Sequence, residues 1–166
     1  MTSVDTPALL SWFDRAGRSL PWRGDEVGPW EILLCEVMSQ QTPVARVEPV
    51  WRAWLERWPG PADLAAAAPA DVIRMWGKLG YPRRALRLQE CALVVVDRHD
   101  GRVPTDVDAL LSLPGVGDYT ARAVACFAYG QRVPVVDTNV RRGVAGPGHG
   151  AAEAGPPSTP RPPETV

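Results

Sequence analysis

The tightest constraint on this chain is Pro114-Gly115-Val116-Gly117, which ends one apolar helical pattern and opens another without room for a linker. A helix of about 106–112 is expected to lead into it, and a helix of 118–129 to leave it. A Gly-rich turn feeding a helix aims unpaired backbone N–H groups outward and adds the positive end of a helix dipole, an arrangement that suits a phosphate. The competing reading is an ordinary helix-connecting turn. Further on, Asp137 follows the apolar run Val133-Pro134-Val135-Val136. A carboxylate there is costly unless it has a partner or a task. A phosphate cradle followed by a shielded carboxylate points to chemistry on a nucleic acid.

The rest of the chain reads as short helices joined by Pro and Gly turns. A first helix is expected over 6–17, with Thr6 as cap, Pro7 in the first turn, and Leu9, Leu10, Trp12 and Phe13 on its apolar face. A polar loop carrying Leu20-Pro21-Trp22-Arg23 precedes a second helix over about 29–40. Glu36 stands among the apolar residues of that helix, between Cys35 and Val37. It is either an exposed helix edge or a working carboxyl, and its neighbours do not decide which. The next helix runs to about Trp58, and its Trp51, Trp54 and Trp58 fall at helical spacing, as core residues do. Short helices near 62–67 and 70–76 follow, then the loop Gly77-Lys78-Leu79-Gly80-Tyr81 and a long helix over 82–98. Val94-Val95-Val96 lies inside that helical pattern, and no strand alternation is convincing, so the fold class is all-α. After Arg142 a Gly/Pro/Ala-rich segment, 143–166, has no apolar periodicity and is expected to be disordered.

Composition closes off several alternatives. No apolar run approaches the ~20 residues of a membrane span, and the N-terminus lacks an export signal, so a cytoplasmic protein with no membrane partner is expected. The net charge of −1 argues weakly against nucleic acid. Arg83, Arg84 and Arg87, and again Arg141 and Arg142, are nevertheless dense locally, and a local patch outweighs the sum. Cys35, Cys91 and Cys126 are far apart in apolar helical contexts and read as small core residues. His99 and His149 have no partners at ligand spacing, so no metal site is expected.

Three segments, in this order and spacing, carry a resemblance: ILLCEVMSQQTPVARVEPVWRAWLERWP, WGKLGYPRRALRL and LPGVGDYTARAVACFAYGQRVPVVDTNVRR. Over roughly residues 6–142 the chain closely resembles the helix-hairpin-helix (HhH-GPD) glycosylase superfamily of base-excision repair, and within it the adenine DNA glycosylase branch. The resemblance implies a helical barrel containing a helix-hairpin-helix at about 106–129, within a glycosylase domain of 1–142. Glu36 matches the family's general acid, which protonates adenine at N7; an apolar setting that raises its pKa would keep it protonated. Asp137 matches the carboxylate that stabilises the positively charged sugar, and Asn139 a residue that orients the site. Gln40 and Tyr81 match positions that push into the base stack. Gly115, Val116 and Gly117 match the hairpin that grips the DNA backbone. Arg18, Leu20 and Trp22 match the region lining the pocket for the extruded base.

One position separates the branches. Where strand-cutting relatives carry a Schiff-base lysine, two residues after the second hairpin glycine, this chain has Tyr119. A phenol cannot form the imine, so the resemblance implies a monofunctional enzyme that would meet DNA through Tyr119 without cutting it. The implied activity is hydrolysis of adenine mispaired with 8-oxoguanine or guanine, in double-stranded DNA, by a monomer associated with the nucleoid. The alternatives are a mismatch thymine/uracil glycosylase and a non-catalytic DNA-binding fragment. Full-length members continue past the Asp137 helix, bind a [4Fe–4S] cluster through four cysteines and, in the adenine branch, add a domain that recognises 8-oxoguanine. Three scattered cysteines cannot supply that set, so no cluster is expected in this chain. The passage from DTNVRR into GVAGPGHG reads as an abrupt truncation or a disturbed reading frame. With those later helices missing, the first helix is expected to expose its Leu/Trp/Phe face.

Overall fold

In the computed structural model, residues 5–24 and 26–141 are described. They contain α1 (Thr6–Ala16), a 3-10 turn (Pro21–Arg23), α2 (Pro29–Met38), α3 (Val44–Arg57), α4 (Pro61–Ala65), α5 (Pro69–Trp76), α6 (Arg83–Arg98), α7 (Val107–Leu111) and α8 (Asp118–Tyr129). No strand occurs among the described residues, as the all-α reading requires. The expected tail, 143–166, with Arg142 and His149, lies outside the described residues. Among the described residues no helix is long and apolar enough to cross a membrane.

Two units divide the chain: residues 18–135, and residues 1–17 together with 136–166. In the larger unit the tryptophan stripe is core, as its spacing implied. Trp54 is fully buried and meets Trp58 and Trp76 edge-to-face, with ring centroids 5.1 and 5.5 Å apart. Such pairs add about 0.5–1.5 kcal/mol to the stabilisation from burying their area. α2 is the central helix, burying Leu33, Leu34 and Met38 completely or nearly so, and it packs against α3 and α8. α4 is fastened to α6 by Gln89, whose Nε2 donates to the Leu64 and Ala67 carbonyls at 3.3 and 2.6 Å. The Leu64 carbonyl also accepts from Ala67 N–H at 3.2 Å, and Ala67 lies beyond the helix, so the Gln89 amide ties down both the last turn of α4 and the chain that leaves it. α8 ends at Gly130, whose φ of 64° permits a left-handed cap with Gln131 N–H donating to the Ala125 carbonyl at 3.1 Å.

The smaller unit contains α1 and a helical turn over 138–141. Asp5 rather than Thr6 caps α1, its Oδ1 accepting from Ala8 N–H at 3.0 Å. The Asp5 carbonyl also accepts from Leu9 N–H at 3.0 Å, so the first turn closes on Asp5 and Thr6 lies inside the helix. Leu9, Leu10, Trp12 and Phe13 are all exposed, between 45% and 59%.

Candidate active site

Glu36 belongs to α2 and is half-buried, so it is not an exposed helix edge. Cys35 and Val37 beside it are buried, whereas Glu36 keeps part of its surface. Burial pushes its carboxyl from the ordinary 4.5 up to about 7. The Arg23 guanidinium and a hydrogen bond from the Tyr119 hydroxyl act in the opposite direction, and desolvation wins. A carboxyl held near neutrality is half protonated at the pH where a general acid works best.

Helical spacing explains how Tyr119 comes to meet it. Glu36 and Gln40 are four residues apart, and so line up along α2 and the turn that follows. Tyr119 and Thr120 are neighbours in the first turn of α8, which packs on α2. Glu36 meets Tyr119, while Gln40 Nε2 donates to the buried Thr120 Oγ1 at 3.3 Å. The structure therefore turns the Gln40 side chain towards α8. Its neighbour Gln41 is exposed and sits at φ 55°, a left-handed conformation rare for a residue with a side chain. Tyr81, the tip of the GKLGY loop, shares both features, with φ 49° and 66% exposure.

The hairpin lies between α7 and α8. Gly115 has φ 78°, and a Cβ on it would lie 3.1 Å from the Cβ of Arg87, so both backbone and space demand glycine. Val116 differs from the expectation of outward N–H groups. It is buried, and its N–H donates to the Leu113 carbonyl at 3.2 Å. Gly117 is the N-cap of α8 without any side-chain cap, and open space lies where its Cβ would be. The first-turn N–H groups of α8 thus lack a side-chain acceptor, and the exposed Arg87 stands beside the turn.

The remaining residues divide as follows. Trp22 is half-buried and lies edge-on to Trp51, with ring centroids 5.7 Å apart. Leu20 is half-buried and Arg18 exposed, the Arg18 carbonyl accepting from Arg23 Nη1 at 3.5 Å. Asp137 and Asn139 belong to the smaller unit. Asp137 Oδ1 accepts from the Val140 N–H at 2.7 Å, capping the 138–141 turn, and Asn139 Nδ2 approaches Oδ2 at 3.5 Å. Cys35 and Cys91 are buried in the core, and burial raises both thiols. Cys126 is half-buried, and no group of three or more ligating side chains occurs among the described residues.

Sequence reasoning gave no role to Arg23 or Gln41 and placed Arg84 in a nucleic-acid patch, whereas its guanidinium donates to main-chain carbonyls and to Thr42. Arg23 had a signal, being the only charge in the LPWR loop next to Trp22. Gln41 and Arg84 had none, since a left-handed φ and a set of carbonyl partners arise only on folding.

The site thus sets a helix-hairpin-helix, with an α8 N-terminus free of any side-chain cap, beside a glutamic acid that burial holds near neutrality. The sequence profile of the HhH-GPD superfamily base excision DNA repair protein matches residues 34–148, and the chain belongs to that superfamily. Among its relatives is the adenine DNA glycosylase of Mycolicibacterium smegmatis, 63% identical over 152 residues, which are 92% of this chain and 52% of the relative. The chain spans about half the length of the curated relatives it matches. The structure of a thermostable thymine-DNA glycosylase is similar, with TM-score 0.79 and 30% identity over 83% of this chain and 64% of that one. A non-covalent endonuclease III–DNA complex matches with TM-score 0.73 and 30% identity over 84% and 63%.

Proposed function

We propose that this chain carries the chemistry of a monofunctional DNA glycosylase that releases adenine mispaired with 8-oxoguanine or guanine. The observation that carries the reading is the Glu36 carboxyl, raised to about 7 and hydrogen-bonded by Tyr119. The 63% identity to an adenine DNA glycosylase supports adenine as the base.

In this reading duplex DNA is held by its backbone at the uncapped N-terminus of α8, with Gly115 shaping the turn and the Arg87 cation beside it. The target adenine leaves the stack, and the loop of Arg18, Leu20 and Trp22 lines its pocket. Glu36 donates its proton to adenine N7. The C1′–N9 bond then breaks with its electron pair passing to the base, so a neutral adenine departs. By the family resemblance, stabilising the cationic sugar falls to Asp137 and orienting the site to Asn139. Water adds to C1′ and loses a proton, leaving an abasic site on an intact strand. Tyr119 offers no amine for an imine, which restricts the reaction to hydrolysis. No step uses a metal or a cluster, and the reading takes the chain as a cytoplasmic monomer acting on the nucleoid.

The test is single-turnover adenine release from an 8-oxoguanine·A duplex, beside Glu36→Gln. Release by the wild type that vanishes in the variant, with duplex binding retained, is expected. Binding without release in either protein would leave a non-catalytic DNA-binding fragment. A second reading, release of thymine or uracil from G·T or G·U, is favoured by the likeness to a thymine-DNA glycosylase structure. Offering those duplexes in the same assay separates the two.

A further inference from the structure

Arg84 donates six hydrogen bonds, and none of them goes to a carboxylate. Nη1 donates to the carbonyls of Val37, Met38 and Gln40 at 3.0, 3.2 and 2.6 Å. Nη2 donates to Thr42 Oγ1 at 3.0 Å and to the carbonyls of Leu79 and Gly80 at 3.2 and 3.1 Å. Val37 and Met38 are the last residues of α2, where the negative end of the dipole attracts a cation, and Gln40 lies in the turn beyond. The last two belong to the GKLGY loop. Thr42, itself buried, donates to the Leu79 carbonyl at 3.2 Å and closes the bracket. The guanidinium also lies over the Trp76 and Tyr81 rings, 5.1 and 5.7 Å from their centroids. Trp76 Nε1 holds the Gly80 carbonyl from another side at 2.8 Å.

What this bracket holds is informative. Gln41 lies between two clamped residues, Gln40 and Thr42, and Tyr81 directly follows clamped Gly80. Gln41 and Tyr81 are two of only three non-glycine residues with positive φ among those described; the other is Asp100. Such conformations persist where the surroundings over-determine them. The bracket supplies that determination, from one side chain reaching two segments about forty residues apart.

We propose that Arg84 is a positioning residue that locks the Gln41 turn and the Tyr81 loop into one rigid edge. That edge sets how strongly the protein prefers a mispaired duplex over a paired one. The proposal rests on the reading of the chain as a mispair-directed DNA glycosylase. Arginine is required because a planar fork serves acceptors on two segments at once, whereas an ammonium is a compact point charge with three donors. Arg83 and Arg87, exposed on the same helix, are the residues left to meet phosphate.

The experiment compares the full chain with Arg84→Lys and Thr42→Val in two measurements. Backbone amide exchange without DNA is expected to quicken by roughly tenfold or more at Gln40, Thr42 and Leu79 in Arg84→Lys, as loss of charged hydrogen bonds implies. Exchange within α3 and α8 is expected to stay as in the wild type. Binding is then measured to an 8-oxoguanine·A duplex and to a paired duplex of the same sequence. The wild-type preference is expected to fall about tenfold in both variants, with affinity for the paired duplex within about twofold. Unchanged exchange in Arg84→Lys overturns the lock. Quickened exchange with the preference intact overturns its role in reading. A wild type that binds both duplexes alike refutes the glycosylase reading itself, and the proposal with it.

Discussion

Replacing Glu36 by glutamine isolates one carboxyl in both stability and chemistry. Its pKa is 4.5 in the unfolded chain and about 7 in the folded one. Below 4.5 it is neutral in both states and places no burden on the fold. As pH rises from there, the unfolded chain releases the proton while the folded chain retains it, so stability declines until the folded carboxyl has also ionised, just above 7. The difference between the two values corresponds to about 3 kcal/mol, at roughly 1.4 kcal/mol per unit. Glutamine does not titrate. Urea unfolding of the two proteins between about pH 4 and pH 9 should therefore show the variant gaining about 3 kcal/mol relative to the wild type across that window, with a level difference on either side. A stability difference independent of pH would refute the reasoning, as would one that moves the other way. The same carboxyl must be protonated to act as an acid. Wild-type base release should then fall about tenfold per pH unit above about 7, while the variant stays inactive throughout.

Three further outcomes are expected. Trp54→Ala, which removes a fully buried ring and two edge-to-face contacts, should cost about 3–5 kcal/mol, read from the urea midpoint. Gly115→Ala forces an L side chain into φ 78° against Arg87; a loss of about 1–3 kcal/mol should accompany weaker binding to paired duplex, and a stable variant that binds normally would contradict the role given to the turn. Asp137→Asn retains an acceptor for the Val140 N–H and so should keep its fold and its DNA binding. Its base release should be lost, and full turnover in this variant would remove Asp137 from the mechanism.

Element types were legible in the sequence because each depends on neighbours in the chain. Trp51, Trp54 and Trp58 announce a buried helix by spacing alone, and α8 begins and ends where Gly117 and Gly130 allow. Boundaries drifted where a local competitor was missed, as when Asp5 rather than Thr6 took the cap of α1. Glu36, Tyr119 and Asp137 were singled out in the sequence by the family resemblance and by the apolar runs around the two carboxylates. The particular groups that set the Glu36 carboxyl were not. Desolvation, the Arg23 charge and the Tyr119 hydroxyl reach it from α2, the preceding loop and α8, which meet only on folding. Gln40 and Gln41 look interchangeable in a sequence, yet a hydrogen bond to Thr120 turns one towards α8 while a left-handed φ presents the other to solvent. Arg84 reads as one more cation in a basic run, and its carbonyl partners carry no side-chain signature. Local pattern determined which helices form and which groups are available. Tertiary packing alone decided which of those groups are desolvated, paired or held outward, because burial and hydrogen bonding are properties of neighbours that the chain does not place side by side.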